Sequence, residues 1–246
     1  LREAVPSADV VYLADQAHVP YGDRSEDELV RLLEGNVALL EDEGVDAIVM
    51  GCNTSCAVAA KRGWPAANVP ILDLIEAAAA AVASSGARRV GVLATSATAK
   101  SGAYGAAIRR AVPGADVLEV AAPKLVPLVE RGLRDGPEVR AAIAEARAAF
   151  AASLDVLVLA CTHYPLLEDA IGAAFGPSVR LIDPALAQAE RAIAAAGRAA
   201  AGGAPGQVRY LTTGPLAPFR AALSEIVGEP GPRDAVVALA PALRSV

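Results

Sequence analysis

Residues 45–54 read VDAIVMGCNT and residues 154–163 read LDVLVLACTH. Each stretch has an aspartate at its second position, runs through aliphatic residues, and closes on a small residue, a cysteine and polar side chains. A short apolar run closed in this way reads as a buried parallel strand that turns into a helix at its carboxyl end. The two stretches lie 109 positions apart. A second pair, LREAVPSADVVYLAD at 1–15 and IRRAVPGADVLEVAA at 108–122, agrees at eight of fifteen positions with an offset of 107. Both pairs therefore belong to one duplication with a small change in length, and the chain reads as two related lobes.

Outward from these stretches the pattern repeats. Val10–Leu13, Ala47–Met50, Val90–Leu93, Val117–Val120, Val156–Leu159 and Val179–Ile182 read as strands. Glu26–Glu43, Gly102–Ala111 and Pro137–Ala152 carry helical spacing between them. Strand and helix in alternation predict an α/β fold: two pseudo-symmetric lobes, each a mainly parallel sheet flanked by helices, with the site in the cleft between them. Residues 1–76 with 185–246 are assigned to the first lobe, and 77–184 to the second. After the connector Ala201–Gly206, a strand at Val208–Thr212 and a helix around Pro218–Val227 are assigned to the first lobe as well. The second lobe opens with a strand at Arg89–Thr95 that has no counterpart before Leu1, so the first lobe is expected to lack its opening strand.

Composition narrows the function. The chain has 246 residues, 54% of them hydrophobic and 20% charged, with a net charge of −6 and no basic run. A nucleic-acid surface needs a clustered cationic stripe, so no nucleic-acid partner is expected. The alanine clusters are too short and too weakly apolar to cross a bilayer, and no membrane partner is expected. Cys52, Cys56 and Cys161 are an odd number of cysteines, which argues for reduced thiols in a cytoplasmic setting. With only His18 and His163 to accompany them, the spacing from Cys52 to Cys56 does not suit zinc, and no metal or other cofactor is expected.

Two cysteines at matching strand ends of two related lobes would face each other across the cleft. A thiolate accepts a proton and a thiol returns one, so the pair can work on opposite faces of one carbon. Backbone donors and a helix dipole at each strand end would lower both thiols' pKa values. An isolated cysteine is more often a small buried hydrophobe, and Cys56, one helical turn past Cys52, is read that way. Asn53, Thr54, Thr162 and His163 follow the two thiols. They suit N-capping or the binding of a small substrate with carboxylate and ammonium groups. Asp15 and the turn Pro20-Tyr21-Gly22 carry little signal alone.

The segments Asp15-Gln-Ala-His-Val-Pro-Tyr-Gly22, Gly51-Cys-Asn-Thr54, Val126-Pro-Leu-Val-Glu-Arg-Gly132, Cys161-Thr-His-Tyr-Pro-Leu-Leu167 and Leu211-Thr-Thr-Gly214 occur in this order. With them the chain resembles the glutamate racemases of the cofactor-independent aspartate/glutamate racemase superfamily. The resemblance implies that Cys52 and Cys161 are the catalytic acid/bases, assisted by Asp15, Glu130 and His163. It implies substrate contacts from Tyr21, Gly22, Asn53, Thr54, Thr95, Thr98, Thr162 and His163. Without it, Glu130 would read as a solvated helix residue. It also implies a two-base inversion at Cα of glutamate without a cofactor, and D-glutamate supplied to peptidoglycan assembly. A homodimer is compatible with it, though no interface stripe stands out.

The chain departs from the family at its start, where members carry a strand with an Asp-Ser-Gly signature. This is the strand missing from the internal symmetry, and its loss would weaken Cys52. Ser55-Cys56 replaces the more usual Ala-Ser, and Ala122 stands where many members have cysteine. Two other readings stay open: a sister activity such as aspartate or hydantoin racemase or a single-thiol decarboxylase, and a non-catalytic binding protein. The presence of both cysteines weighs against single-thiol members.

Overall fold

The computed structural model describes residues 6–150, 153–196, 205–228 and 234–239. Residues 1–5 of the repeat, 151–152 of the third predicted helix and 201–204 of the connector lie outside the described residues. The first elements are β1 (Val10–Ala14), α1 (Glu26–Asp42), β2 (Ile48–Val49), α2 (Asn53–Arg62), β3 (Ile71–Leu72), α3 (Leu74–Ser85) and β4 (Arg89–Ala94). There follow α4 (Ser96–Ser101), α5 (Ala103–Ala111), β5 (Asp116–Ala121), α6 (Leu125–Glu130), α7 (Pro137–Ala148) and β6 (Val156–Ala160). The last are α8 (Glu168–Phe175), β7 (Arg180–Ile182), α9 (Pro184–Ala196), β8 (Val208–Thr212), α10 (Leu216–Val227) and β9 (Ala235–Ala238). Each predicted apolar run is found as a strand, and the predicted helices are found as α1, α5, α7 and, in the tail, α10.

Strand order is β5-β4-β6-β7 in one sheet, β1-β8-β9 in another, and β2 pairs with β3. The β4–β5, β4–β6, β6–β7, β1–β8 and β8–β9 pairs are all parallel. The fold is therefore mixed α/β with parallel sheets flanked by helices.

The chain divides into two compact units. The first runs to Ile48, takes up Pro65–Ile71 and resumes at Ala192; the second comprises Val49–Trp64 and Leu72–Arg191. These boundaries differ from the lobes drawn on the repeat, which separate Cys52 from Cys161: both cysteines fall in the second unit. The physical reason is a shared core. Cys56 and Ala57 of α2 and Leu74, Ile75 and Ala78 of α3 pack in one apolar cluster with Tyr104, Ala107 and Ile108 of α5.

The central strands of the second unit explain its two-sided core. Val90, Val92, Val156, Val158 and Ala160 face that cluster, while Leu93, Leu157, Leu159 and Cys161 face a second one under α6, α7 and α8. This is the period-two alternation of strands covered on both faces. Gly91 lacks a side chain for cause, since a Cβ there would lie 2.6 Å from Leu154 and 2.9 Å from Leu157.

In the first unit, Ser25 caps α1 by accepting from the Glu28 N–H, and Leu29, Leu32, Leu33 and Val37 form its buried stripe. The tail strand β8 lies beside β1, with Val10 opposite Val208 and Ala14 opposite Thr212. The tail strand and Asp15 thus fall in the same unit. No described helix is long and apolar enough to cross a membrane.

Candidate active site

Cys52 stands where β2 passes into α2. It is the N-cap residue of that helix, and its Sγ accepts from the Ser55 N–H at 3.5 Å. Asn53 and Thr54 begin the helix and are buried, 5% and 6% exposed. The Tyr104 hydroxyl donates to Asn53 Oδ1. The strand end ahead of Cys52 is held by buried Gln188, whose amide nitrogen donates to the carbonyls of Met50 and Leu72 at 2.9 and 2.8 Å.

Cys161 stands where β6 ends, and the chain passes from it into a 3-10 turn at Tyr164–Leu167 rather than an α-helix. Continuing the strand's alternation, its side chain packs with Leu93, Leu159, Ala122 and Tyr164 and is 6% exposed. Burial pushes this thiol up to about 11; the His163 and Tyr164 N–H groups act the other way, and the Cys52 thiolate charge adds to the rise. Lowered thiol values were expected at both strand ends; at Cys161 the direction is reversed, because desolvation outweighs two backbone donors. The influence of Cys52 on Cys161 also means that the two sulfurs are near enough for a charge on one to be felt at the other.

His163 lies beside Cys161, Nδ1 to Sγ 3.9 Å, and its Nε2 is 2.5 Å from Glu130 Oε1 at the end of α6. With a carboxylate at Nε2, the neutral ring keeps its proton there and leaves Nδ1 as an acceptor facing the thiol. Glu130 is exposed, as a solvated helix residue would be, yet it is drawn to the imidazole. Thr162 is exposed. Tyr164 anchors this turn: its hydroxyl reaches the carbonyls of Ala94 and Ala122, both at 3.0 Å.

Thr95 caps α4 by accepting from the Thr98 N–H, and its hydroxyl lies 3.0 Å from that of Thr98. Thr98 has no exposed surface.

Asp15, Tyr21 and Gly22 belong to the first unit. Asp15 gathers the Tyr21 hydroxyl at 2.5 Å, the Thr213 hydroxyl at 2.7 Å and His18 Nδ1 at 2.7 Å. Burial acts to raise the Asp15 carboxyl, but these three partners and the charge of His18 outweigh it and hold it below the ordinary carboxylate value. Asn36 donates to the Tyr21 hydroxyl at 3.1 Å. Gly22 is exposed and has open space where a Cβ would stand. The tail motif acquires a physical reason here: Thr213 serves Asp15, and the Thr212 hydroxyl donates to Gln16 at 2.9 Å. Gly214 lies so close to Gln16 that an added Cβ would be 2.7 Å from it.

Cys56 is fully buried in the second unit's core, where burial and the neighbouring Asp73 carboxylate push its thiol upward. Among the described residues, no group of three or more His, Cys, Asp or Glu side chains could hold a metal ion. A cavity of about 840 Å³ in the same unit is lined by Arg134, Arg140, Pro165, Leu166 and Glu168 among others, and by none of the predicted site residues.

Sequence reasoning missed Tyr104, Gln188 and the role of Tyr164. Tyr164 lies inside the motif quoted from Cys161 to Leu167, which was a usable signal. Nothing local marks Tyr104 or Gln188, whose partners are 51 and 138 positions away.

With this geometry in place, comparison with known proteins is informative. The sequence profile of the Asp/Glu/Hydantoin racemase family matches residues 1–192. A glutamate racemase of Desulforudis audaxviator is 40% identical over 240 residues, covering 93% of this chain and 88% of that protein. A glutamate racemase isoform of Bacillus anthracis superposes with a TM-score of 0.86 at 27% identity, covering 97% of this chain and 90% of the other. A glutamate racemase of Francisella tularensis, solved in complex with D-glutamate, has a TM-score of 0.86 at 26% identity and covers 100% of this chain and 92% of its own.

Proposed function

Because this chain belongs to the Asp/Glu/Hydantoin racemase family and is thus an isomerase, we propose that it interconverts L- and D-glutamate by proton transfer between Cα and two cysteines. The observation that carries the reading is the pairing of Cys52 with Cys161, each at a strand end, within reach of each other's charge.

The two thiols are not equivalent in this reading. Cys161 rests as a thiol and is assigned the acid, and Cys52, half-buried at the start of α2, is assigned the base. Cys52 takes the Cα proton while the Cys161 S–H delivers one to the opposite face, which inverts the centre. In the reverse sense Cys161 must first lose its proton, and His163 Nδ1 accepts it while Glu130 steadies the imidazolium. A Cα–H is a very weak acid, so the carbanion needs fixed donors around the substrate carboxylate. Asn53, Thr54, Thr95 and Thr162 with the N–H groups at the start of α2 are suited to this. The resemblance gives Asp15 a role in assisting the thiols, and gives Tyr21 and Gly22 a role as substrate contacts. General acid–base catalysis supplies about 10²–10⁴-fold of the rate, and exclusion of water supplies a further part. D-glutamate would feed peptidoglycan assembly, and three free cysteines suit a reducing cytoplasm.

The test is incubation of the full-length protein with L-glutamate in D₂O without added cofactor. The expected outcome is D-glutamate with deuterium at Cα. Exchange of aspartate but not glutamate would move the chain to a sister activity, and no exchange in folded protein would reject racemisation.

A further inference from the structure

We propose that Tyr104 is a positioning residue for this reaction, orienting the Asn53 amide so that its –NH₂ group is presented beside Cys52 to the substrate. The inference rests on the proposed racemase reading and adds a residue to it.

Asn53 is the first residue of α2 and the immediate neighbour of Cys52. A side-chain amide has nearly the same shape in its two flipped orientations, and only its hydrogen bonds decide between them. In this structure the Tyr104 hydroxyl donates to Oδ1. The amide nitrogen, on the other branch of the planar group, is thereby turned away from Tyr104. Donors rather than an acceptor are what a substrate carboxylate requires.

Tyr104 is built to hold this state. It is fully buried near the start of α5, in the apolar cluster that also packs α2 and α3. A buried phenol needs a partner, and the Asn53 oxygen supplies it. Burial first, then any negative charge on Cys56, Asp73, Cys161 or Asp183, keeps the hydroxyl protonated. It therefore remains a donor across the working pH range, including turnovers in which Cys161 carries charge. The same phenol is close enough to Cys161 to feel that charge.

A neutral hydrogen bond contributes about 0.5–1.5 kcal/mol, which converts to roughly two- to tenfold in affinity. The experiment measures steady-state kinetics and D-glutamate binding by calorimetry for the full-length wild type, Tyr104→Phe, Asn53→Ala and the double variant. Tyr104→Phe is expected to raise KM and the D-glutamate Kd by about two- to tenfold while kcat stays within about twofold. In the Asn53→Ala background the same change is expected to add less than about twofold, since its route to the substrate is gone. Asn53→Asp keeps an acceptor for Tyr104 but removes the donors, and is expected to weaken glutamate binding at least as much as Asn53→Ala.

An unchanged KM in Tyr104→Phe would overturn the proposal. So would an equal loss in the presence and absence of Asn53, which is the signature of general loosening. If Tyr104→Phe does not fold, the Asn53→Asp variant decides: glutamate affinity equal to wild type rejects the role given to the amide. A wild type that does not racemise glutamate at all is the distinct failure of the functional reading.

Discussion

Cys161 continues the alternation of β6 into an apolar cluster, and this placement sets its chemistry. The leucines on its face remove water from around the sulfur, and two backbone N–H groups do not compensate. A raised thiol pKa means that the reactive thiolate is scarce at neutral pH and increases as pH climbs toward about 11. In a Cys52→Ser background, the alkylation rate of Cys161 by iodoacetamide should therefore rise about tenfold per pH unit from pH 7 to 10 without levelling. Levelling above about pH 9.5 would show an ordinary thiol and contradict the assignment. The reversed direction at this residue was not legible in the sequence, because a motif records which donors follow a cysteine but not how many leucines surround it. The reach of Glu130 to His163 was likewise carried by resemblance alone.

At the scale of elements, the turn after β6 is fixed by one side chain. The Tyr164 hydroxyl joins the carbonyls that end β4 and begin the loop after β5, while the same residue packs beneath Cys161. Ala94 O has a second donor in the Ala122 N–H at 2.9 Å, so Ala122 O is the group that loses most when the hydroxyl is removed. Tyr164→Phe should cost about 1–2 kcal/mol, read as a lower urea midpoint with an unchanged slope. An unchanged midpoint would contradict the anchoring role. The long elements were readable from the sequence, since α1 carries a Ser cap and a leucine stripe, and β4 and β6 are uninterrupted aliphatic runs. The short ones were not. β3 has two residues and β9 lies after a Gly/Pro-rich stretch, too little chain for any period to register.

For the whole molecule, the duplication was the most informative feature of the sequence, and it was informative about strands more than about boundaries. Both copies of the strand-to-cysteine segment are found as strand ends, and the parallel α/β class follows from them. The compact units depend instead on which helices share a core. Alanine-rich α2 and α3 carry little pattern to announce that they pack with α5. The predicted site residues are divided between the units. Cys52, Asn53, Thr54, Thr95, Thr98, Glu130, Cys161, Thr162 and His163 belong to one unit, and Asp15, Tyr21 and Gly22 to the other. The central claim concerns the pair of thiols, and its most direct test is racemisation of L- and D-glutamate by Cys52→Ser and Cys161→Ser, each made alone in the full-length protein. The account predicts that each variant loses at least about 100-fold in both directions, because every turnover needs one base and one acid. Either variant retaining the wild-type rate would contradict it.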